Sequence, residues 1–131
     1  MNLLLDTHIW IWGLLEPEHL RPKVVRVLKN PANDLWLSPI SIWEFLILVE
    51  KGRIILESDP NLWLEKVLKQ LPFKEAPLNF QVAKEARFMK LPHNDPADCF
   101  LAATARVYNL TLVTADQHLL KSSRISTLAN K

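Results

Sequence analysis

The chain has 131 residues, 16 Lys and Arg against 14 Asp and Glu, and 49% hydrophobic residues, a balance that supports one buried core and excludes intrinsic disorder. Its only two glycines, Gly13 and Gly52, lie far apart, so P-loop and Rossmann-type nucleotide binding, which need clustered glycines around a phosphate, are excluded. One cysteine, Cys99, excludes a disulfide framework and a thiolate zinc site, and it suits a reducing cytoplasm.

Leu3-Leu4-Leu5 is a short apolar run that feeds into Asp6-Thr7, a good helix start. Ile9, Trp10, Trp12 and Gly13-Leu14-Leu15 then read as a short helix stopped near Pro17. A fully apolar strand running straight into a helix is the opening of an α/β unit. The stretch has no basic flank and is broken by Asp6 and His8, so neither a signal peptide nor a membrane span is expected. Pro22 starts a second helix with Val24, Val25, Val27 and Leu28 apolar, and Asn30-Pro31-Ala32-Asn33 is a turn.

Leu35-Trp36-Leu37 is a second strand, ending at Ser38-Pro39. Ser41 and Glu44 have the spacing of a capping box, opening a helix to about Lys51 that Gly52 closes. Asp59-Pro60 starts another helix, with Leu62, Leu64, Val67, Leu68 and Leu71 apolar, and residues 73–78 are a strand candidate. Asn79 caps a helix carrying Val82, Ala83, Ala86 and Phe88. Asp95-Pro96 supplies the N-cap and first residue of a helix to about Tyr108. Leu110 to Val113 is the clearest strand; a short helix and a last strand over 125–128 follow. Alternating strands and helices predict one α/β domain over residues 1–131, a parallel sheet covered on both faces.

In such sheets ligands gather beyond the carboxyl ends of the strands. Asp6 directly follows the first strand and Asp116 follows the strand ending at Val113. Asp98 lies in the first turn of the helix leading into that strand, and Glu44 lies in the helix leaving the second. Each acid has an ordinary structural explanation as a helix cap or as a partner for a helix dipole. Glu44 resists it most: residues 40–49 are apolar nearly all round, which predicts a buried helix, and a carboxylate there must be neutralised, paired or metal-bound. Carboxylates about 4 Å apart repel by roughly 4 kcal/mol at an effective dielectric near 20. A divalent cation removes that load, and all-oxygen ligation points to Mg²⁺ or Mn²⁺. Setting these four acids aside leaves ten against sixteen bases, a net +6 suited to a polyanionic substrate. The pattern argues for metal-dependent phosphodiester hydrolysis.

At these residues the sequence resembles PIN-domain ribonucleases, specifically the VapC-type toxins of toxin–antitoxin pairs. The matching pieces are Leu3-Leu4-Leu5-Asp6-Thr7-His8, Ser38-Pro39-Ile40-Ser41-Ile42-Trp43-Glu44, Asp95-Pro96-Ala97-Asp98-Cys99-Phe100-Leu101 with Ala102-Ala103-Thr104-Ala105, and Leu112-Val113-Thr114-Ala115-Asp116, in the family's order. The resemblance implies a three-layer α/β/α sandwich around a short parallel sheet, Mg²⁺ or Mn²⁺ dependence and endonucleolytic cleavage of RNA. It places catalysis and metal binding on Asp6, Glu44, Asp98 and Asp116, with Asp95, Thr114 and Ser41 in secondary places. It further implies a homodimer, a small cognate antitoxin and no membrane partner.

The remaining candidates have plainer readings. His8, His19, His93 and His118 lack zinc-ligand spacing; His8 reads as a partly buried packing residue, and Pro92-His93-Asn94-Asp95 carries a single histidine where similar sequences carry more basic character, which argues against an accessory substrate role there. Cys99 reads as a small apolar residue, and the tryptophans at 10, 12, 36, 43 and 63 as core or dimer interface. Lys84, Arg87 and Lys90 form a solvated stripe. A haloacid-dehalogenase phosphatase needs a second Asp where this chain has His8, and a receiver domain needs paired early acids that are absent. A catalytically silent PIN-like module that binds RNA or protein is the alternative, and incomplete acids would be its mark.

Overall fold

The computed structural model describes residues 1–91 and 95–131; Pro92, His93 and Asn94, and the reading made for them, lie outside the described residues. Five strands form one sheet: β1 (Asn2–Leu5), β2 (Asp34–Leu37), β3 (Lys74–Glu75), β4 (Thr111–Thr114) and β5 (Ser126–Ala129). Their order is β3-β2-β1-β4-β5, and every neighbouring pair is parallel. Helices α1 (Thr7–Leu15), α2 (Pro22–Lys29), α3 (Pro39–Glu50), α4 (Pro60–Gln70), α5 (Phe80–Phe88), α6 (Pro96–Val107) and α7 (Gln117–Leu120) make the connections. None of the described helices is long and apolar enough to cross a membrane.

Alternation along the central strands divides the core into two. Leu3, Leu5, Leu37 and Val113 pack on one side with Ile9, Trp10, Val24, Phe45, Leu64 and Val67. Leu4 and Leu112 pack on the other with Val82, Ala86, Leu101, Ala102, Ala105 and Leu119. Helices α1 to α4 therefore cover one face and α5 to α7 the other, the three-layer α/β/α sandwich expected. Leu4 and Leu112, fully buried partners in the register of β1 and β4, show why the middle of each of these strands is apolar.

Two helix ends aim the chain back at the sheet. After α3, Gly52 takes a φ of 73°, while its N–H donates to Val49 O and that of Arg53 to Leu48 O. After α6, Asn109 does the same at φ 54°, with Leu110 N–H donating to Ala105 O. These are paired C-terminal turns of the left-handed kind, which glycine and asparagine tolerate best. The second one delivers the chain directly into β4.

Several local expectations are corrected. The capping box of Ser41 and Glu44 does not form: Ser38 is the N-cap of α3, accepting from Ile40 N–H, and Pro39 holds the first helical position. Ser41 is instead a fully buried residue inside the helix. Nor is α3 buried all round; only Ser41 and Phe45 are, and Trp43 is 58% exposed. In α4, Leu64 and Val67 face the core while Leu62 and Leu68 are exposed. The strand candidate over 73–78 shrinks to Lys74–Glu75, and a 3-10 turn, Pro17–His19, which the sequence reading did not anticipate, follows α1.

Candidate active site

In this strand order the chain leaves β1 toward β2 and β3 and later returns to the opposite side for β4 and β5. Between β1 and β4 lies the switch in direction, where crevices open at the carboxyl edge of a doubly wound sheet. A cavity of about 340 Å³ occupies that position, lined by Asp6, His8, Trp12, Glu44, Asp95, Asp98, Ala115 and Asp116. All four principal acids of the sequence reading, and Asp95 with them, meet around it.

Asp6 stands one residue past β1, and its N–H donates to Val113 O across the strand junction. It occupies the N-cap position of α1 yet makes no side-chain cap bond. Its Oδ2 instead accepts from the Thr114 hydroxyl at 2.7 Å, and that same hydroxyl oxygen accepts from Asp116 N–H at 3.0 Å. Burial pushes the Asp6 carboxyl from 3.8 up to about 6; the Thr114 hydrogen bond opposes this, the Asp98 charge adds to it, and smaller effects of His8 and Glu44 follow.

Glu44 reaches the cavity from the middle of α3, which packs on α6. Its Oε1 accepts from the Thr7 hydroxyl at 2.5 Å, and Thr7 Oγ1 lies 2.8 Å from Ser41 Oγ. A hydroxyl has one proton, so with Thr7 donating to Glu44 the Ser41 hydroxyl donates to Thr7. Burial raises the Glu44 pKa, the Thr7 bond opposes, and the charges of Asp95 and Asp98 raise it further.

Asp95 and Asp116 keep their capping roles. Asp95 Oδ1 accepts from Ala97 N–H and Asp98 N–H at the head of α6, and Asp116 Oδ1 accepts from His118 N–H and Leu119 N–H at the head of α7. Asp98 takes the third helical position of α6, half-buried at the cavity wall.

A pattern follows for three of these carboxylates. Asp6, Glu44 and Asp116 each give one oxygen to protein donors, and the other oxygen of each accepts no hydrogen bond from the described residues. Among the described residues, no lysine or arginine lines the cavity to neutralise them. The donor set is all oxygen, which fits a hard divalent cation. The acids ring the cavity rather than converge: among the described residues no three Asp, Glu, His or Cys side chains form a ready metal cluster.

Two contributors escaped the sequence reading. Thr7 orients Glu44, although its identity gives no hint of a partner 37 residues away. His8 does not pack internally as expected; it is exposed, lines the cavity, and lies 5.8 Å from the Trp12 ring, centroid to centroid. Of the tryptophans, only Trp10 is fully buried. Cys99 is half-buried, with its thiol pKa raised by burial, as a packing residue should be.

Solved structures share this architecture. VapBC2 from Rickettsia felis bound to a DNA fragment from its promoter superposes with a TM-score of 0.73 at 15% identity, covering 98% of both chains. FitAcB from Neisseria gonorrhoeae gives 0.66 at 24% identity, covering 98% of this chain and 97% of its own. A toxin–antitoxin complex from Klebsiella pneumoniae gives 0.67 at 18%, again covering 98% of both. At these identities the likeness establishes the fold. No curated protein matches the chain. The PIN domain family model matches residues 3–124, nearly the full length, and the chain accordingly belongs to the PIN domain family.

Proposed function

We propose that this PIN domain is a Mg²⁺- or Mn²⁺-dependent endoribonuclease, acting as the toxin of a toxin–antitoxin pair. The observation that carries the reading is one cavity at the β1–β4 edge, around which Asp6, Glu44, Asp95, Asp98 and Asp116 gather with no lysine or arginine among the described lining residues. Asp6, Glu44 and Asp98 would hold the cation, and Asp116 would hold a second ion or order water. A bound divalent cation would offset charge on the phosphodiester and lower the pKa of the attacking water.

The chain's own contribution is orientation. The Thr114 hydroxyl fixes Asp6 by donating to its carboxylate and fixes Asp116 by accepting from the Asp116 backbone N–H. The Ser41–Thr7 pair fixes Glu44 from the other wall. Such supporting hydrogen bonds keep metal-binding carboxylates in their ionised, directed form. The half-exposed apolar side chains of α3, Ile42, Leu46 and Val49, support a protein-covered surface, which suits a homodimer and a cognate antitoxin. The Klebsiella pneumoniae neighbour is itself a toxin–antitoxin complex. Half-buried Cys99 is compatible with action in the reducing cytoplasm.

The test is titration of Mn²⁺ and Mg²⁺ into purified protein, read as melting temperature and as cleavage of single-stranded RNA. Both should rise together, and Asp6→Asn and Asp98→Asn should abolish cleavage with the fold intact. Full activity in either variant, or in excess chelator, would refute the assignment.

A further inference from the structure

A second cavity of about 550 Å³ adjoins the acid cavity and shares His8, Glu44 and Asp95 with it. Its far wall carries Trp43, Ile47, Leu48, Lys51 and Arg53. Glu44, Ile47, Leu48 and Lys51 lie at the i, i+3, i+4, i+7 positions of one helix face, so Lys51 stands about 10 Å along α3 from Glu44. Arg53 follows Gly52, whose left-handed turn directs the chain back past the helix end. Lys51 and Arg53 are both exposed, and neither makes an ion pair among the described residues. The exposed Trp43 ring borders the same space.

Resting on the nuclease reading above, we propose that this cavity is the subsite for the nucleotide next to the scissile phosphate. Lys51 and Arg53 bind its phosphate, and Trp43 offers its ring to the base. The division of labour is electrostatic. The acid cavity repels RNA unless a cation intervenes, so the strand must be held by bases outside it but within reach. The wall of the adjoining cavity supplies them. A point charge and a guanidinium side by side suit phosphate oxygens, and an exposed indole stacks any base face. An acidic protein segment would also be drawn to Lys51 and Arg53, but it would make no use of the shared wall with the acid cavity. The continuity of the two spaces therefore favours the nucleic acid.

The experiment compares the intact chain with Lys51→Gln/Arg53→Gln and with Trp43→Ala, using a fluorescein-labelled single-stranded oligoribonucleotide. Cleavage kinetics with Mn²⁺ are measured alongside anisotropy binding in chelator across a salt series. The charge variant should raise KM about tenfold with kcat within about threefold, and should flatten the log Kd against log salt slope by about 0.7, one neutralised phosphate's worth. Trp43→Ala should raise KM with the salt slope unchanged, and Lys51→Arg/Arg53→Lys should restore both values. Lys84→Gln/Arg87→Gln, on the outer stripe of α5, should behave as the intact chain.

An unchanged KM and slope in the charge variant would overturn the subsite while leaving the nuclease reading standing. So would a charge variant that binds RNA normally yet loses an acidic partner protein. Failure of the intact chain to cut RNA with Mn²⁺ present would overturn both readings.

Discussion

The hydroxyl of Thr114, at the last position of β4, donates to the carboxylate of Asp6, 108 residues earlier in the chain, at 2.7 Å, with both side chains buried. Its oxygen also receives Asp116 N–H, so one side chain locks two acids that follow adjacent strands. Thr114→Val keeps the shape and removes the donor. Stability should fall by roughly 1–3 kcal/mol, the cost of stranding a buried polar group, and kcat/KM by about 10- to 100-fold. Thr114→Ser should retain both within about threefold. Denaturant melts and RNA cleavage on the two variants check this; equal activity in Thr114→Val would remove the hydroxyl from the mechanism.

Asp6 makes the metal-free protein sensitive to pH. Its carboxyl sits at about 6 in the fold against 3.8 ordinarily, with burial as the main cause. The folded state therefore holds this proton more tightly than the unfolded chain. The resulting stability is fully present below about 3.8 and is lost as pH rises through about 6. Asn at this position can still accept from Thr114 but never ionises. In chelator, Asp6→Asn should match the wild type near pH 4 and exceed it at pH 7.5 by on the order of 1–3 kcal/mol, or roughly 3–10 °C in Tm. Its Tm should also respond less to Mn²⁺. A variant less stable than wild type at pH 7.5 contradicts the electrostatic account.

The pair holding Glu44 should behave as one unit. Thr7→Val removes the donor to Glu44 and leaves the Ser41 hydroxyl, fully buried, without its acceptor. We expect a loss of about 1–3 kcal/mol and a drop in kcat/KM of about 10- to 100-fold. Adding Ser41→Ala to that variant should cost less than Ser41→Ala alone, because the bond it deletes is already gone. Strict additivity in the double-mutant cycle would show that the two hydroxyls act separately.

Phe45 anchors α3 to the core and so sets the height at which Glu44 enters the cavity. Its ring stacks on Trp63 at 4.8 Å between centroids and meets Trp10 edge-on at 5.7 Å. Phe45→Ala should cost about 3–5 kcal/mol and lower Tm by roughly 10–20 °C. Phe45→Leu should recover more than half of that loss. Calorimetry of the two variants decides it.

Much of this arrangement was readable from the chain because its signals were local. Three leucines ending at Asp6 mark a buried strand with a polar exit, and Asp95-Pro96 announces a helix start whatever lies around it. The misreadings arose where two local signals competed or where a partner was remote. Ser41 and Glu44 match a capping spacing, but Ser38 followed by proline offers a better start three residues earlier, and only the folded chain shows that it wins. Thr7 carries no sign of Glu44, since their meeting depends on α1 packing against α3. The leucines of α4 looked equivalent in sequence; the helix turns Leu64 inward and Leu62 out. His8 follows the same logic, its exposure set by the cavity beside it.

The sheet order carries a consequence for how such a chain is made. Of the five strands β1 is translated first, yet one of its two flanking strands, β4, is translated only after residue 110. A nascent polypeptide can display Asp6 and Glu44 long before Thr114 and Asp116 exist to complete the cavity wall. The wall between β1 and β4 is therefore completed only once the far side of the sheet has closed.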